Sequence, residues 1–191
     1  KTLGVVGGGH IGLHVIKMAK GFGMEVLVHD ARQNLFLSEV LDYQYVPLDT
    51  LLRRSDIVSL HVPYMPATHH LMNRRTFGLM KRGSLLINTA RGGLVDTASL
   101  VQALDEGRLG GAGLDVLEGE ELVKEERQLL SKDFPKQKLA TALRNHILLH
   151  RENVVITPHI AFDSTEALQR ILDTTVTNIA GFLNGAPVNL V

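Results

Sequence analysis

Leu3-Gly4-Val5-Val6-Gly7-Gly8-Gly9-His10-Ile11-Gly12 is the stretch that decides the fold. An apolar run, Thr2–Val6, ends in glycines at positions 7, 9 and 12, and a helical pattern over His10–Phe22 follows. In such a strand–turn–helix, Gly7 allows the tight turn and Gly9 lets a pyrophosphate approach the main chain. Gly12 lets the helix pack closely on the strand. The phosphates then meet a helix N-terminus, where N–H groups and the helix dipole favour negative charge. No Gly-Lys-Ser/Thr follows, so the turn is not a P-loop. Asp30 closes the next apolar run, Glu25–His29. There it is placed to accept hydrogen bonds from the adenine ribose and to repel a 2′-phosphate, which favours NAD over NADP. Arg32 nearby weakens that preference slightly, and a solubilising carboxylate at a strand end is the plain alternative.

Working outward, short β-rich runs alternate with helical patterns. Strands are expected at Thr2–Val6, Glu25–His29, Ile57–Leu60, Ser84–Asn88, Gly110–Leu114 and Val154–Thr157, with a weaker one near Tyr45. Helices are expected at His10–Phe22, Ala98–Glu106 and Ser164–Leu183, with shorter crossovers at Pro47–Arg54 and Asn73–Met80. In the last long helix Leu168, Ile171, Leu172, Thr175, Ile179 and Leu183 share one face, and Asp163 is the expected cap. The alternation predicts a doubly wound parallel sheet of Rossmann type, a three-layer α/β/α sandwich with right-handed crossovers.

The bulk properties narrow the partners. The 191 residues are 45% hydrophobic and carry 20 basic and 20 acidic side chains, so net charge recommends neither nucleic acid nor an anionic membrane. The absence of cysteine excludes disulfides and thiolate chemistry. No apolar stretch approaches membrane-spanning length and no signal peptide is visible, which makes a cytoplasmic domain the default expectation. The charged, leucine-spaced segment Glu118–Lys138 reads as an amphipathic excursion, either a solvated surface helix or a lid or partner contact.

In a sheet of this kind ligands bind beyond the C-terminal strand ends. His61 stands there in His61-Val62-Pro63, and Arg91 in Asn88-Thr89-Ala90-Arg91-Gly92-Gly93. Asp115 is followed by Glu118 and Glu120, and His159 stands in Thr157-Pro158-His159-Ile160. An arginine fork clamps the carboxylate or carbonyl oxygens of a small acid. A histidine passes a proton near neutral pH, and a neighbouring carboxylate raises its pKa. Hydride transfer to a keto carbon needs this set. Glu120 is the expected partner of His159, with Glu118 left open. Each has a structural alternative: a salt bridge for Arg91, a cap after Pro158 for His159, plain surface for Glu120 and a loop anchor for Asp115. His61 is read as shaping the cleft rather than transferring a proton. The remaining histidines show no convincing ligand spacing; His69 and His70, being adjacent, are expected to diverge, and no metal is predicted.

Together these segments resemble the D-isomer-specific 2-hydroxyacid dehydrogenases. The matching pieces are Val6–Gly12, His61–Pro63, Asn88–Gly92, Gly113–Glu120 and Thr157–Ala161. The stretch from His61 to Asn73 is most similar to the D-lactate dehydrogenase branch. The resemblance implies that Arg91 binds the substrate's carboxylate and keto oxygens, that His159 is the acid–base residue and that Glu120 pairs with it. It also implies that Asp115 tunes pH response and cofactor binding. NAD contacts are implied at Gly7, Gly9, His10, Ile11, Gly12, Asp30, His61, Val62, Pro63, Thr68, Thr89, Ala90, Asp115 and His159. The implied reaction interconverts a 2-keto acid and a D-2-hydroxy acid, pyruvate and D-lactate being the nearest pair. By the same resemblance residues 1–191 are the NAD-binding domain alone, most of the substrate-side domain is absent from this chain, and little turnover is expected of it by itself. A homodimer through the nucleotide domain is implied. An NAD-sensing regulatory domain of corepressor type is the alternative over this region.

Overall fold

The computed structural model describes residues 1–120 and 135–189. Lys1–Pro158 form one compact unit and His159–Val191 a second. In the first, the strands are β1 (Thr2–Val6), β2 (Glu25–His29), β3 (Gln44–Tyr45), β4 (Ile57–Leu60), β5 (Ser84–Asn88), β6 (Leu109–Leu114) and β7 (Val154–Ile156). They form a parallel seven-stranded sheet in the order β3-β2-β1-β4-β5-β6-β7. The chain therefore winds outward from β1 in one direction, then returns to β1's other side with β4. The turns after β1 and β4 flank this switch point. Pairing of Val6 with both His29 and Leu60 sets the three strand ends level there.

The helices are α1 (His10–Gly21), α2 (Leu35–Val40), α3 (Leu48–Arg54), α4 (Arg74–Leu79), α5 (Thr97–Asp105) and α6 (Lys136–Leu149). Side chains alternate across a strand, so the apolar runs supply two cores. Leu3, Val5, Val26 and Val28 pack with Ile16 and Ala19 of α1 on one face. Val6, Leu27, Val58, Leu60 and Leu86 pack on the other with Leu51 and Leu52 of α3, Phe77 of α4 and Leu100 and Leu104 of α5. Sheets covered on both faces read as continuous apolar runs rather than alternating ones, which is why Thr2–Val6 and Ile57–Leu60 were legible.

Local chemistry sets the helix starts. Asn73 caps α4 by accepting from Arg75 and Thr76 amides at 3.0 and 3.3 Å, while the Thr76 hydroxyl accepts from the Asn73 amide. Asp96 caps α5 through the Ser99 amide at 3.2 Å, placing the helix start at Thr97 rather than Ala98. Asp56 accepts from the Thr2 amide at 2.8 Å and from Lys81 at 2.9 Å, and these bonds hold its carboxyl below the usual range. It ties the first residue of β1 to the turn before β5.

Two helices were not foreseen. Helix α2 is only six residues long and buries none of them, its apolar Leu35, Phe36 and Val40 being exposed. Helix α6 buries only Asn145 and Leu148 among its described residues. The amphipathic segment expected over Glu118–Lys138 falls mostly on residues 121–134, outside the described residues. In the second unit α7 spans Thr165–Leu183. Its cap is Ser164, which accepts from the Ala167 amide at 3.2 Å, and not Asp163. The register one residue later puts the Ser164 hydroxyl, not the aspartate, opposite the first-turn amides.

Candidate cofactor and substrate site

Because the sheet is parallel, every loop after a strand of the first unit opens on one edge. Gly7 leaves β1 with φ +102°, and a Cβ there would lie 2.7–2.8 Å from the His61 carbonyl group and the Val62 amide. Only glycine combines that dihedral with that approach. A Cβ at Gly12 would collide with the Gly7 carbonyl oxygen, so α1 sits directly on the turn. Gly9 differs. It is the N-cap of α1, has no side-chain cap, and a Cβ on it would meet open space. This open backbone at a helix N-terminus is the shape a pyrophosphate fits. His10 and Ile11 are exposed beside it.

Asp30 faces the same turn. Its Oδ2 accepts from the Gly8 amide at 2.6 Å and its Oδ1 from the Arg32 amide at 2.7 Å. The carboxylate is thus oriented by backbone, with lone pairs left for ribose hydroxyls. Tyr45 lies near it: a Cβ at Gly8 would come 3.6 Å from Asp30 Oδ2 and 3.8 Å from the Tyr45 hydroxyl. The Tyr43 and Tyr45 hydroxyls bond at 3.0 Å, and burial together with that bond pushes the Tyr43 phenol up.

Beyond β4, the half-buried His61 shares a 2.8 Å hydrogen bond between its Nε2 and Ser59 Oγ, and burial lowers its pKa. Val62 packs against the core and Pro63 is exposed. The Thr68 hydroxyl closes this loop, donating to the Pro63 carbonyl at 2.8 Å and accepting from the Met65 amide at 2.8 Å.

Beyond β5, Asn88 builds the arginine loop. Its Nδ2 donates to the Arg91 carbonyl at 2.9 Å and its Oδ1 accepts from the Ala90 amide at 3.1 Å. Thr89 and Arg91 are exposed, and the guanidinium donates to the Ala90 carbonyl at 2.7 Å. Beyond β6, Asp115 is buried and accepts from the Thr157 hydroxyl at 2.5 Å. That bond makes it an anchor between the ends of β6 and β7. Arg91, Gly92, Gly93 and Glu118–Glu120 line a cavity of about 420 Å³, together with Tyr64, His69, Lys138 and Thr141.

Glu118 and Glu120 part company here. Glu118 Oε1 accepts from His70 Nε2 at 2.6 Å, and its Oε2 takes the Thr97 hydroxyl and amide at 2.7 and 3.2 Å. Glu120 Oε2 accepts from the Leu117 amide at 3.4 Å. His69 and His70 do not diverge as expected: their rings stack with centroids 3.7 Å apart and 25° between planes. His70 has φ +49°, and this left-handed residue folds the second ring back onto the first. His70, Asp96 and Glu118 each offer a ligand atom within 4.8 Å of the others. Both carboxylates are already engaged, Asp96 by the Ser99 amide and hydroxyl, and hydrogen bonds account for the cluster. In the second unit, His159 has φ +58°, and its ring stands edge-on to Phe162 at 6.2 Å.

Sequence reading quoted Asn88 within the Arg91 motif but gave it no role, and assigned none to Tyr64, His69 or His70. Asn88 carried a signal, a polar residue ending a buried strand. The histidine pair carried none, because its stacking depends on one backbone dihedral.

The switch-point turn, the open Gly9 and the oriented Asp30 define a Rossmann-type dinucleotide-binding domain. Residues 1–161 match the family model described as "D-isomer specific 2-hydroxyacid dehydrogenase, NAD binding domain", and the chain belongs to that family. It is 45% identical over 181 residues to a D-specific alpha-keto acid dehydrogenase of Enterococcus faecalis, covering 95% of this chain and 52% of the relative. It is 42% identical over 187 residues to the D-lactate dehydrogenase kk1H of Curvularia clavata, covering 98% and 51%. Among solved structures, the D-lactate dehydrogenase of Aquifex aeolicus complexed with NAD and lactic acid is similar, with a TM-score of 0.87 and 41% identity over 97% of this chain and 54% of that one. The chain spans about half the length of the curated relatives it matches. These three relatives are dehydrogenases, and nothing in them favours the corepressor reading. Among the described residues no helix is long and apolar enough to cross a membrane.

Proposed function

We propose that this chain supplies the nucleotide-binding half of an NAD-dependent enzyme that interconverts a 2-keto acid and a D-2-hydroxy acid, pyruvate and D-lactate being the nearest pair. The observation that carries the reading is Arg91: an exposed guanidinium on a loop clamped by Asn88, facing a cavity that Glu120 also lines.

When bound, NADH supplies the hydride for the keto carbon. The open backbone at Gly9 and the N-terminus of α1 receive the pyrophosphate, and the adenine ribose falls to Asp30. His61, Val62, Pro63, Thr68, Thr89 and Ala90 border the remaining length of the cofactor, with Asp115 fixing the strand ends beneath it. Arg91 holds the substrate carboxylate and polarises the keto oxygen. His159 gives that oxygen its proton and takes it back in the reverse direction. Glu120, which lines the cavity that Arg91 faces, is assigned as the partner that keeps His159 protonated. The similarity to D-lactate and D-specific alpha-keto acid dehydrogenases supports the substrate class.

The test is Arg91→Leu in the full-length protein that carries this chain. Reduction of 2-keto acids by NADH should fall by at least about 10²–10³-fold, with NADH affinity nearly unchanged. Turnover equal to that of the parent would contradict the assignment. A cytoplasmic homodimer joined through the nucleotide domain is the accompanying proposal. Sedimentation of the chain as a 21.0 kDa species at high concentration would count against the dimer.

A further inference from the structure

We propose that His70 is a positioning residue for the candidate catalytic segment Glu118-Gly119-Glu120, acting through Glu118. The inference rests on the reading of Arg91 and Glu120 given above. His70 Nε2 donates to Glu118 Oε1 at 2.6 Å, and both the backbone and the ring of His70 are held in place. Its own amide donates to the Gly93 carbonyl at 2.9 Å, Asn73 Nδ2 donates to its carbonyl at 2.8 Å, and the His69 ring stacks on it at 3.7 Å. His69 is fixed in turn by the Tyr64 hydroxyl at 3.1 Å.

Glu118 is gripped as thoroughly. Thr97 holds its second oxygen, and Asn145 Nδ2 donates to its backbone carbonyl at 2.9 Å. Asn145 is fully buried, and its Oδ1 has no partner among the described residues. Among the described residues, the bond this buried side chain makes is the one to Glu118. Gly92 completes the clamp. A Cβ there would collide with the Leu117 carbonyl and approach the Glu118 amide, so the Arg91 loop lies directly against this segment. Two residues past Glu118, Glu120 closes a turn by donating its amide to the Leu117 carbonyl at 3.3 Å. The histidine pair thereby sets where the Glu120 carboxylate stands relative to the Arg91 loop, although neither ring is assigned a role in the chemistry.

Two substitutions separate this from a general loss of stability. Asn suits the left-handed backbone at position 70 but is too short to reach Glu118; Gln reaches it but strains the backbone. In the full-length protein, His70→Asn should lower kcat by about 10–100-fold with NADH affinity within about twofold, and His70→Gln should recover most of kcat despite a lower melting temperature. Amide hydrogen exchange of residues 116–120 should lose protection in His70→Asn and keep it in His70→Gln, whether or not the protein turns over 2-keto acids. Thr97→Val, which removes the other donor to Glu118, should act in the same direction. Full protection of 116–120 in both His70→Asn and Thr97→Val, or kcat within about twofold of the parent, would overturn the proposal. An inactive parent would instead defeat the reading of Arg91 and Glu120, and the exchange pattern alone would then decide the role of His70.

Discussion

The Gly8 amide donates to Asp30 Oδ2 at 2.6 Å, so the glycine turn after β1 and the residue that follows β2 are one unit. Asp30 both shapes the turn and presents charge to whatever the turn holds. The two roles separate by substitution. Asp30→Asn keeps an oxygen for Gly8 and removes the charge; fluorescence titration should show NADPH gaining on NADH by about tenfold, the scale of one lost charged hydrogen bond or repulsion. Asp30→Ala removes the acceptor as well and should weaken both cofactors.

Gly12 leaves no room for a side chain. A Cβ would strike the Gly7 carbonyl, which is backbone and cannot swing away. Gly12→Ala should destabilise the fold by at least about 1–3 kcal/mol, the cost of overpacking, measured by urea denaturation. It should also weaken NADH binding, because α1 must move off the turn that Gly9 serves.

His61 gives stability a pH dependence. Burial lowers its pKa in the folded state. The unfolded chain therefore takes up the proton first, and the stability associated with the neutral ring is intact above the ordinary imidazole value of about 6.5. It is lost as pH falls from there toward the folded value, at no more than about 1.4 kcal/mol per pH unit. Denaturation midpoints taken from pH 8 to pH 5 should be flat at first and then drop. His61→Gln, which can still meet Ser59, should flatten the drop.

Asn88 tests the arginine loop without touching its charge. It is buried and satisfies both the Arg91 carbonyl and the Ala90 amide. Asn88→Ala should cost about 1–3 kcal/mol in stability and lower turnover by more than it lowers NADH affinity. Equal losses in both would mean that the loop serves cofactor binding alone.

Much of this was written in the chain. The strands read clearly because both faces of the sheet are covered, and the glycine turn and Asp30 fall where the β1 and β2 ends require. Residue order also placed His61, Arg91 and Asp115 after successive strands, and parallel pairing then put them on one edge. What escaped was whatever depends on geometry rather than pattern. Helix α2 is only six residues long, and the apolar residues Leu139, Leu143 and Ile147 of α6, although at helical spacing, are exposed rather than part of the core. The stacking of His69 on His70 follows from a left-handed dihedral that no sequence pattern announces. The commitment of Glu118 to His70 joins residues 48 positions apart, and only the fold brings them together.

The most direct measurement is a crystal structure of the full-length protein with NAD and oxamate, an unreactive pyruvate analogue. The account predicts the Arg91 guanidinium on the oxamate carboxylate and the His159 imidazole within about 3 Å of the oxygen that stands for the keto group, with the pyrophosphate over Gly9. Oxamate bound away from Arg91, or His159 turned from it toward solvent, would contradict the account.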